Sequence, residues 1–374
     1  MSGFPKFLLF ALASVAIHQS CLAEPLADAT ASTIAAPATE KIAAYQARFG
    51  RSRPVIAVVG ENSGTVVSDY VIPYGVLTQS GLADVVSVAT QPGLLKLSPL
   101  QIKPDSTVAE FDQRYPDGAD YVFVPAVKKR DDPTLIAWVT AQATKGATMI
   151  SICNGSLVLA NAGLTRGHRA TGHWSTYDER LKRYPNTQWV KNIRYVVDGK
   201  IISSAGITAA IPTSLALVEA IADTERAAQL AKKLGVADWR AQHNSDEFKF
   251  ESGDYLTGFA NLFLRPTDEV GVPVADGVDE IALALTAEAY SATLRSHVFV
   301  IARSEAPIKT RGGLLMLPDR VIGRGRPLDR VLPAWGAAPS TRALDQAMLD
   351  ITERYGARAA RFVALEGEFP WHGL

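Results

Sequence analysis

A cysteine lies at an abrupt turn between a buried strand and a helix in segment 149–160. The apolar residues up to Ile152 are typical of a buried strand, Cys153 follows them, and Gly155 comes two residues later. Such a turn presents a nucleophile at the carboxyl end of a strand, and the free N–H groups of the next helix favour a thiolate. The alternative is a buried structural cysteine, because free cysteines are among the most buried residues. The spacing alone leaves both interpretations open.

The composition is that of an ordinary globular protein with one large domain or two domains. The chain has 374 residues, 47% of them apolar and 20% charged, with a formal net charge of zero. A neutral balance predicts no broad attraction to nucleic acid or anionic membranes. Glycine-rich phosphate loops are absent from the sequence, and no two histidines form a helical i, i+4 pair. We therefore predict neither a bound cofactor nor a metal site.

The N-terminus has the pattern of a secretory signal peptide. Lys6 precedes an apolar run over residues 7–17 that is too short to span a bilayer, and Cys21-Leu22-Ala23 offers small residues for cleavage after Ala23. We therefore predict a periplasmic or secreted protein that has no membrane span once the signal peptide (1–23) is removed. Cleavage leaves Cys153 as the only cysteine, which excludes an intramolecular disulfide.

Strand and helix patterns alternate after a leader or linker at 24–50, in which residues 41–49 could form a short helix. The predicted strands and helices that lead up to the cysteine are 55–59, 66–77, 85–89, 121–125 and 134–143, and a further helix is predicted at 230–241. This alternation predicts an α/β fold, a parallel sheet covered by helices on both faces. Ligands of such sheets bind at the carboxyl ends of the strands, where Cys153 is expected.

The second half of the chain partly repeats the hydrophobic pattern of the first. We predict a domain at 51–242, a linker at 243–268 and a truncated, degenerate repeat at 269–374. In that alignment residues 362–367 fall on the strand and turn of the cysteine, with Leu365 in place of Cys153. A truncated repeat is expected to pack on the first half as an intramolecular pseudo-dimer, or on a second copy in a homodimer. The alternative is that any α/β chain shows this rhythm by chance.

Four motifs resemble the DJ-1/PfpI family of the class I glutamine amidotransferase-like superfamily, over about residues 53–222. They are Asp69-Tyr70-Val71-Ile72-Pro73, Ile150-Ser151-Ile152-Cys153-Asn154-Gly155, Gly172-His173-Trp174 and Ser204-Ala205-Gly206-Ile207. The domain is most similar to the amidase-like domain of bacterial regulators, but no helix-turn-helix follows it. The resemblance implies a flavodoxin-like sheet sandwiched by helices.

The resemblance also implies roles for individual residues. Cys153 would be the nucleophile, Asp69 the carboxyl group that contacts the thiolate and makes the thiol more acidic, and His173 the general base or proton carrier. The backbone N–H groups of Asn154 and Val127 would form an oxyanion hole, although Pro125-Ala126-Val127 stands where the family has Pro-Gly-Gly. Without the resemblance, Asp69 is a solvated helix-face carboxylate and His173 a surface-loop residue.

The function predicted from these residues is that of a cysteine-dependent hydrolase, hydratase or lyase. A thiolate would add to a small electrophilic substrate such as an amide, an isonitrile or a reactive aldehyde, the last being glyoxalase-like chemistry. One alternative is a redox-responsive or stress-related protein whose thiol is oxidised. Another is a ligand-binding module on a degenerate scaffold. The missing helix-turn-helix and the signal peptide together predict that no nucleic acid binds.

Overall fold

The computed structural model describes residues 40–371, so the predicted signal peptide and its cleavage site lie outside the described residues. The strands are β1 (Val55–Gly60), β2 (Thr65–Val66), β3 (Asp84–Ala89), β4 (Leu95–Ser98), β5 (Leu100–Lys103), β6 (Ser106–Thr107), β7 (Tyr121–Val124), β8 (Thr148–Ser151), β9 (Arg169–Ala170), β10 (Gln188–Trp189), β11 (Tyr195–Asp198), β12 (Ile201–Ser204), β13 (Asp268–Pro273), β14 (Ser296–Ala302), β15 (Ile308–Lys309), β16 (Leu315–Met316), β17 (Arg320–Val321) and β18 (Arg330–Val331).

The α-helices follow the predicted alternation through the first half of the chain. They are α1 (Val67–Ser80), α2 (Val108–Arg114), α3 (Pro133–Thr144), α4 (Gly155–Asn161), α5 (Tyr177–Arg183), α6 (Ala210–Ile221), α7 (Thr224–Leu234), α8 (Ser252–Phe263), α9 (Glu280–Ala292), α10 (Arg342–Tyr355) and α11 (Ala357–Gly367). Capping side chains and glycines determine where several of these helices begin and end. Asp132 caps α3 by accepting from the Leu135 N–H at 2.9 Å, and Gly81 ends α1 in the left-handed conformation.

A seven-stranded sheet organises the first region of the chain. Its order is β11-β12-β8-β7-β1-β3-β6, and every neighbouring pair is parallel except β11 with β12. All six residues of β1 are buried. Ile56 and Val58 enter one hydrophobic core, while Val55, Ala57 and Val59 enter the other. The side chains of this continuous apolar run therefore pack on both faces of the sheet. The predicted α/β fold is confirmed.

The C-terminal region, residues 252–371, has a second and smaller sheet. Its four strands are parallel, in the order β17-β14-β13-β18. A third sheet, β15-β16-β5-β4-β2, contains strands from both regions, because β16 pairs antiparallel with β5. Helix α9 also packs on α1, where a Cβ at Gly75 would meet Ile281 Cγ1 at 2.8 Å. The missing side chain of Gly75 allows this close approach of the two helices.

Two predicted helices in the first 250 residues differ from the structure. Residues 41–48 form no helix, because contacts with the domain hold this segment: Tyr45 N–H donates to Ala220 O at 2.8 Å, and Glu40 accepts from Val197 N–H at 2.7 Å. The helix predicted at 230–241 is α7, which starts and ends earlier. Asp223 caps its first turn, and Gly235, with a φ of 83°, ends it.

Two further differences fall in the C-terminal region. The predicted linker contains α8, which is fixed to the rest of the region where Asn261 donates to Thr293 O at 3.0 Å. Residues 362–367, expected to form a strand and a cysteine-like turn, belong instead to α11. Its buried residues recur at helical spacing, with Ala359 and Val363 on one face, and Leu365 is buried within the helix. The predicted elbow is therefore wrong in this second half.

Candidate active site

The turn at Cys153 is a strained point of the first region. Strand β8 ends at Ser151, Cys153 has a φ of 57°, and α4 begins at Gly155. A positive φ is costly for any residue with a Cβ, so the surrounding structure must hold it. A Cβ at Gly155 would overlap the carbonyl oxygen of Val124 at the end of β7, so this position requires glycine. The neighbouring strand thus fixes the position of the cysteine.

Asp69 lies in the first turn of α1 and is fully buried, which excludes the solvated alternative. Its Oδ2 accepts from the Ala126 N–H at 3.0 Å, and its carboxyl group interacts with the Cys153 thiol. Burial raises the pKa of Asp69 well above its usual range and the charge of Glu288 adds to this, while the Ala126 hydrogen bond and the Cys153 thiol oppose it. Burial thus shifts the Asp69 carboxyl toward its protonated form beside the thiol.

The pKa of Cys153 contradicts the predicted acidic thiol. Its side chain is 6% exposed. Burial raises the pKa of the thiol well above its ordinary value, and the charges of Asp69, Glu368 and Glu366 raise it further. The backbone N–H of Asn154 is a hydrogen-bond donor to the sulfur and works in the opposite direction. Burial and the carboxyl groups raise the thiol pKa by more than the N–H at the start of α4 lowers it. Because the charge of Asp69 acts on the thiol, Cys153 and Asp69 titrate as a coupled pair.

His173 is 3% exposed, so it is not the surface-loop residue of the alternative interpretation. Its Nε2 donates to the carbonyl oxygen of Glu366 at 2.8 Å, and its Nδ1 lies 2.7 Å from Ser175 Oγ. Both ring nitrogens therefore have partners other than the thiol. In this geometry His173 anchors the last turn of α11 and is not placed as the base for Cys153.

The two residues predicted to form the oxyanion hole lie in different surroundings. Asn154 directs its N–H at the sulfur, and its side-chain oxygen accepts from Thr176 Oγ1 at 2.6 Å. Val127 is buried and follows Ala126, whose N–H donates to Asp69. Asn154 is thus oriented toward the reacting atom, and Val127 belongs to the turn that binds the Asp69 carboxyl.

Sequence reasoning missed Arg180, a fully buried cation near the thiol. Its Nη1 donates to His173 O and to Thr176 Oγ1, both at 2.6 Å, and its Nη2 donates to Gly172 O at 3.2 Å. Burial lowers the pKa of Arg180 to about 10, and the charge of Cys153 opposes this. Arg180 therefore holds the His173 loop and places a positive charge near the sulfur.

Glu368 joins the C-terminal region to this loop. Its Oε2 accepts from His243 Nε2 at 2.7 Å and from Ser245 Oγ at 3.2 Å, and its Oε1 accepts from Trp174 N–H at 3.4 Å. Gly206 makes room for it, since a Cβ there would lie 2.7 Å from Glu368 Cγ. Burial raises the pKa of Glu368, but the His243 hydrogen bond and the charges of His173 and His243 bring it below its usual value.

A small cleft of about 30 Å³ opens beside these groups. Its walls come from the segment after Gly206 and from α9, α10 and α11, and they are mostly apolar. Glu288 and Glu366 are the acidic residues that line it. Both lie in the C-terminal region, more than 100 residues from Cys153 in the sequence, so no local motif could have identified them.

Between residues 40 and 371, no three or more His, Cys, Asp or Glu side chains are grouped so as to hold a metal ion. None of the described helices has the length and apolar character needed to cross a membrane.

Known proteins resemble the region that carries this site. A sequence model of the DJ-1/PfpI family matches residues 56–220. Residues 56–220 are a DJ-1/PfpI family domain. The match spans β1 to α6, and so includes Asp69, Cys153 and His173.

Two relatives of the DJ-1/PfpI domain are named for different functions. The chain is 36% identical over 101 residues to the HTH-type transcriptional regulator CdhR of Pseudomonas aeruginosa, covering 27% of this chain and 30% of the regulator. It is 33% identical over 155 residues to isonitrile hydratase of Pseudomonas putida, covering 39% of this chain and 61% of the hydratase. The chain thus spans less than two thirds of either relative.

A solved structure is similar to half of the chain. The crystal structure of Drosophila melanogaster DJ-1beta has 24% sequence identity and a TM-score of 0.45. The match covers 50% of this chain and 100% of DJ-1beta.

Proposed function

We propose that this chain is an exported, cysteine-dependent hydratase or hydrolase that acts on a small electrophilic substrate. The observation that carries the proposal is Cys153 at a φ of 57° between β8 and α4, beside the buried carboxyl group of Asp69. A strained turn is maintained at a nucleophile because it presents the reactive atom. The Cys153 sulfur attacks the substrate carbon, and Asp69 shares the proton of the thiol.

The relative named isonitrile hydratase supports addition of water as the reaction. An isonitrile has an electrophilic terminal carbon, which a thiolate can attack, and hydration converts R–N≡C and water into the formamide R–NH–CHO. The Asn154 N–H and the Arg180 guanidinium stabilise negative charge on the sulfur.

The test compares wild-type protein with Cys153→Ala on n-butyl isonitrile, an aliphatic amide and an α-oxoaldehyde, with product formation followed by chromatography. We expect turnover of at least one substrate by the wild type and none by Cys153→Ala. Urea unfolding of both proteins serves as the control for folding. Equal turnover by Cys153→Ala would exclude a nucleophilic cysteine.

A second candidate is a redox-responsive protein, and one observation favours it. Asp69 Oδ1 is buried and accepts no hydrogen bond within the part of the chain that the structure describes, so a protonated Asp69 is available to an oxidised sulfur. Graded peroxide treatment followed by intact mass measurement tests this. A gain of two oxygen atoms at Cys153 in wild type, lost in Asp69→Ala, is the expected result. General oxidation without a preferred site would contradict it.

The C-terminal region is proposed to be a degenerate repeat of the DJ-1/PfpI domain that acts as an intramolecular partner. The strand order β17-β14-β13-β18 parallels β6-β3-β1-β7 in the first sheet, and α9 follows β13 as α1 follows β1. The contact of α1 with α9 then relates equivalent elements. A homodimer is the alternative, supported by the exposed side chains of Leu256, Phe259 and Phe263 on α8.

Export and the absence of nucleic-acid binding complete the proposal. The apolar run 7–17 and the small residues before position 24 support export, and N-terminal sequencing of the mature protein should begin at Glu24. The neutral net charge supports a protein that does not bind DNA, although one relative is a transcriptional regulator. A gel-shift titration with random duplex DNA that shows no complex is the expected result.

A further inference from the structure

The His173 loop (residues 172–176) lies directly against the elbow between β8 and α4. Thr176 Oγ1 donates to the side-chain oxygen of Asn154 at 2.6 Å. A Cβ at Gly172 would lie 2.3 Å from Ser156 Oγ in the first turn of α4, so the loop backbone packs closely on the start of that helix. The loop therefore packs on the turn that carries the thiol.

The C-terminal turn (residues 365–368) binds this loop from the second region. Trp174 Nε1 donates to Leu365 O at 2.9 Å, and His173 Nε2 donates to Glu366 O at 2.8 Å. Both acceptors lie at the C-terminal end of α11, where carbonyl groups lack the regular helical partner. The loop therefore supplies two of the hydrogen-bond donors at this helix end.

Glu368 makes a further connection in a conformation that most residues avoid. Its φ is 50°, in the left-handed region. Its Oε1 accepts from the Trp174 N–H at 3.4 Å, and its backbone oxygen accepts from Thr208 Oγ1 at 2.8 Å. A strained residue of this kind persists only where its surroundings hold it. Glu368 therefore joins the His173 loop and the segment before α6 to the C-terminal turn.

The same contacts determine which nitrogen of His173 carries the proton. Nδ1 lies 2.7 Å from Ser175 Oγ, and the Ser175 N–H donates to it at 3.4 Å. Nδ1 is therefore the acceptor, and Nε2 carries the proton that is donated to Glu366 O. While the contact with Glu366 lasts, neither ring nitrogen is free to accept a proton from Cys153.

The His173 loop and the helix after it are held together more strongly than they are held to the elbow. Arg180 on α5 donates to His173 O at 2.6 Å and to Gly172 O at 3.2 Å. The connections to the elbow and to the C-terminal turn are single side-chain hydrogen bonds, and segments held in this way open at a lower free energy than sheet strands. Because Cys153 is only 6% exposed, a substrate needs such an opening to reach the sulfur.

We propose that the His173 loop is a lid that the C-terminal turn holds closed, and that opening of the lid exposes Cys153 and frees Nε2 of His173. The structure is then that of the closed form. This inference rests on the proposed function only in that Cys153 is the reacting atom. It gives the C-terminal region a regulatory role, because contact with α11 keeps the nucleophile covered and its base occupied.

The experiment measures alkylation of Cys153 by iodoacetamide, followed by peptide mass spectrometry, in wild type, Thr208→Val, Trp174→Phe and the control Thr352→Val. Thr352 Oγ1 donates to Met348 O within α10 at 2.7 Å, so the control loses a similar hydrogen bond away from the lid. Each lid variant loses one hydrogen bond of the closed form, so we expect alkylation roughly three- to tenfold faster than in wild type. Thr352→Val should match the wild type. Wild-type rates in both lid variants would overturn the proposal.

The same measurement in urea distinguishes lid opening from unfolding of the whole protein. A local opening exposes little surface, so the alkylation rate should rise only slightly with urea below the unfolding transition. In hydrogen exchange, the N–H groups of Trp174 and Phe369 should exchange faster than that of Val58 in β1. Alkylation with the full urea dependence of global unfolding would overturn the proposal. Alkylation needs no turnover, so the result is independent of whether an isonitrile is hydrated.

Discussion

Replacing His243 with alanine should destabilise the whole protein, because His243 is the partner of a buried carboxylate. The side chain of Glu368 is 1% exposed and that of His243 is 13% exposed. Loss of a hydrogen bond to a charged group costs about 1.5–3 kcal/mol, because the buried carboxylate is left less well satisfied. Ser245 Oγ and the Trp174 N–H would still donate to Glu368, so we expect a loss at the lower end, about 1.5 kcal/mol.

The assay is urea unfolding of the wild type, His243→Ala, Glu368→Gln and the double variant. If the loss of unfolding free energy comes from the Glu368 carboxylate without its partner, the double variant should be more stable than His243→Ala by about 1 kcal/mol or more. His243 also stacks on Phe248 with ring centroids 5.5 Å apart, so His243→Gln, which keeps a donor but not the ring, separates the hydrogen bond from packing. Arg240→Ala is the control for an exposed ion pair and should leave the stability close to that of the wild type.

The pH dependence of stability has a definite sign. The pKa of Glu368 is lower in the folded protein than its ordinary value, so its stabilising contribution is present above the unfolded pKa of about 4.3. That contribution is lost as the pH falls through the folded pKa. In His243→Ala this acid-dependent part should shrink. A His243→Ala protein as stable as wild type, to within about 0.5 kcal/mol, would refute the reasoning.

Two further predictions concern the elbow. Gly155→Ala should displace Cys153 and abolish turnover, because its Cβ would overlap the Val124 carbonyl oxygen, whereas Gly253→Ala on α8 meets no atom within 4 Å and should leave turnover unchanged. In wild type the main rise of Cys153 alkylation by iodoacetamide should lie above about pH 8.5, the ordinary thiol value, and Asp69→Asn should move it to lower pH because one raising charge is removed. An alkylation midpoint below that of an ordinary thiol in wild type would contradict the second prediction.

The sequence was sufficient where a local pattern determines the structure. The apolar run of β1, the start of α3 after Asp132 and the turn at Cys153 each depend on residues close together in the chain, and all three are confirmed. The helix at α11 was missed because its apolar residues satisfy a strand pattern as well as a helical one over a short stretch. Packing against α8 and α10 decided between them.

Sequence reasoning identified only part of the site, because other parts come from residues far apart in the chain. Residue type and spacing pointed to Cys153, and the family resemblance pointed to Asp69, but the pKa of the thiol depends on Glu366 and Glu368, which are about 200 residues away in the chain. The Glu366 carbonyl that binds His173 likewise comes from α11. Charges brought together only by tertiary packing leave no periodic signal, so the sign of the shift at Cys153 could not be deduced from its neighbours.

The pairing of β16 with β5 determines how the site behaves on dilution. Leu315 and Met316 pair with Lys103 and Ile102, so strands from the two regions form one continuous sheet. A site built across two separate subunits empties as the protein is diluted, whereas a tether within one chain keeps the second region at an effective concentration of about millimolar. The groups that surround Cys153 therefore stay assembled at any protein concentration.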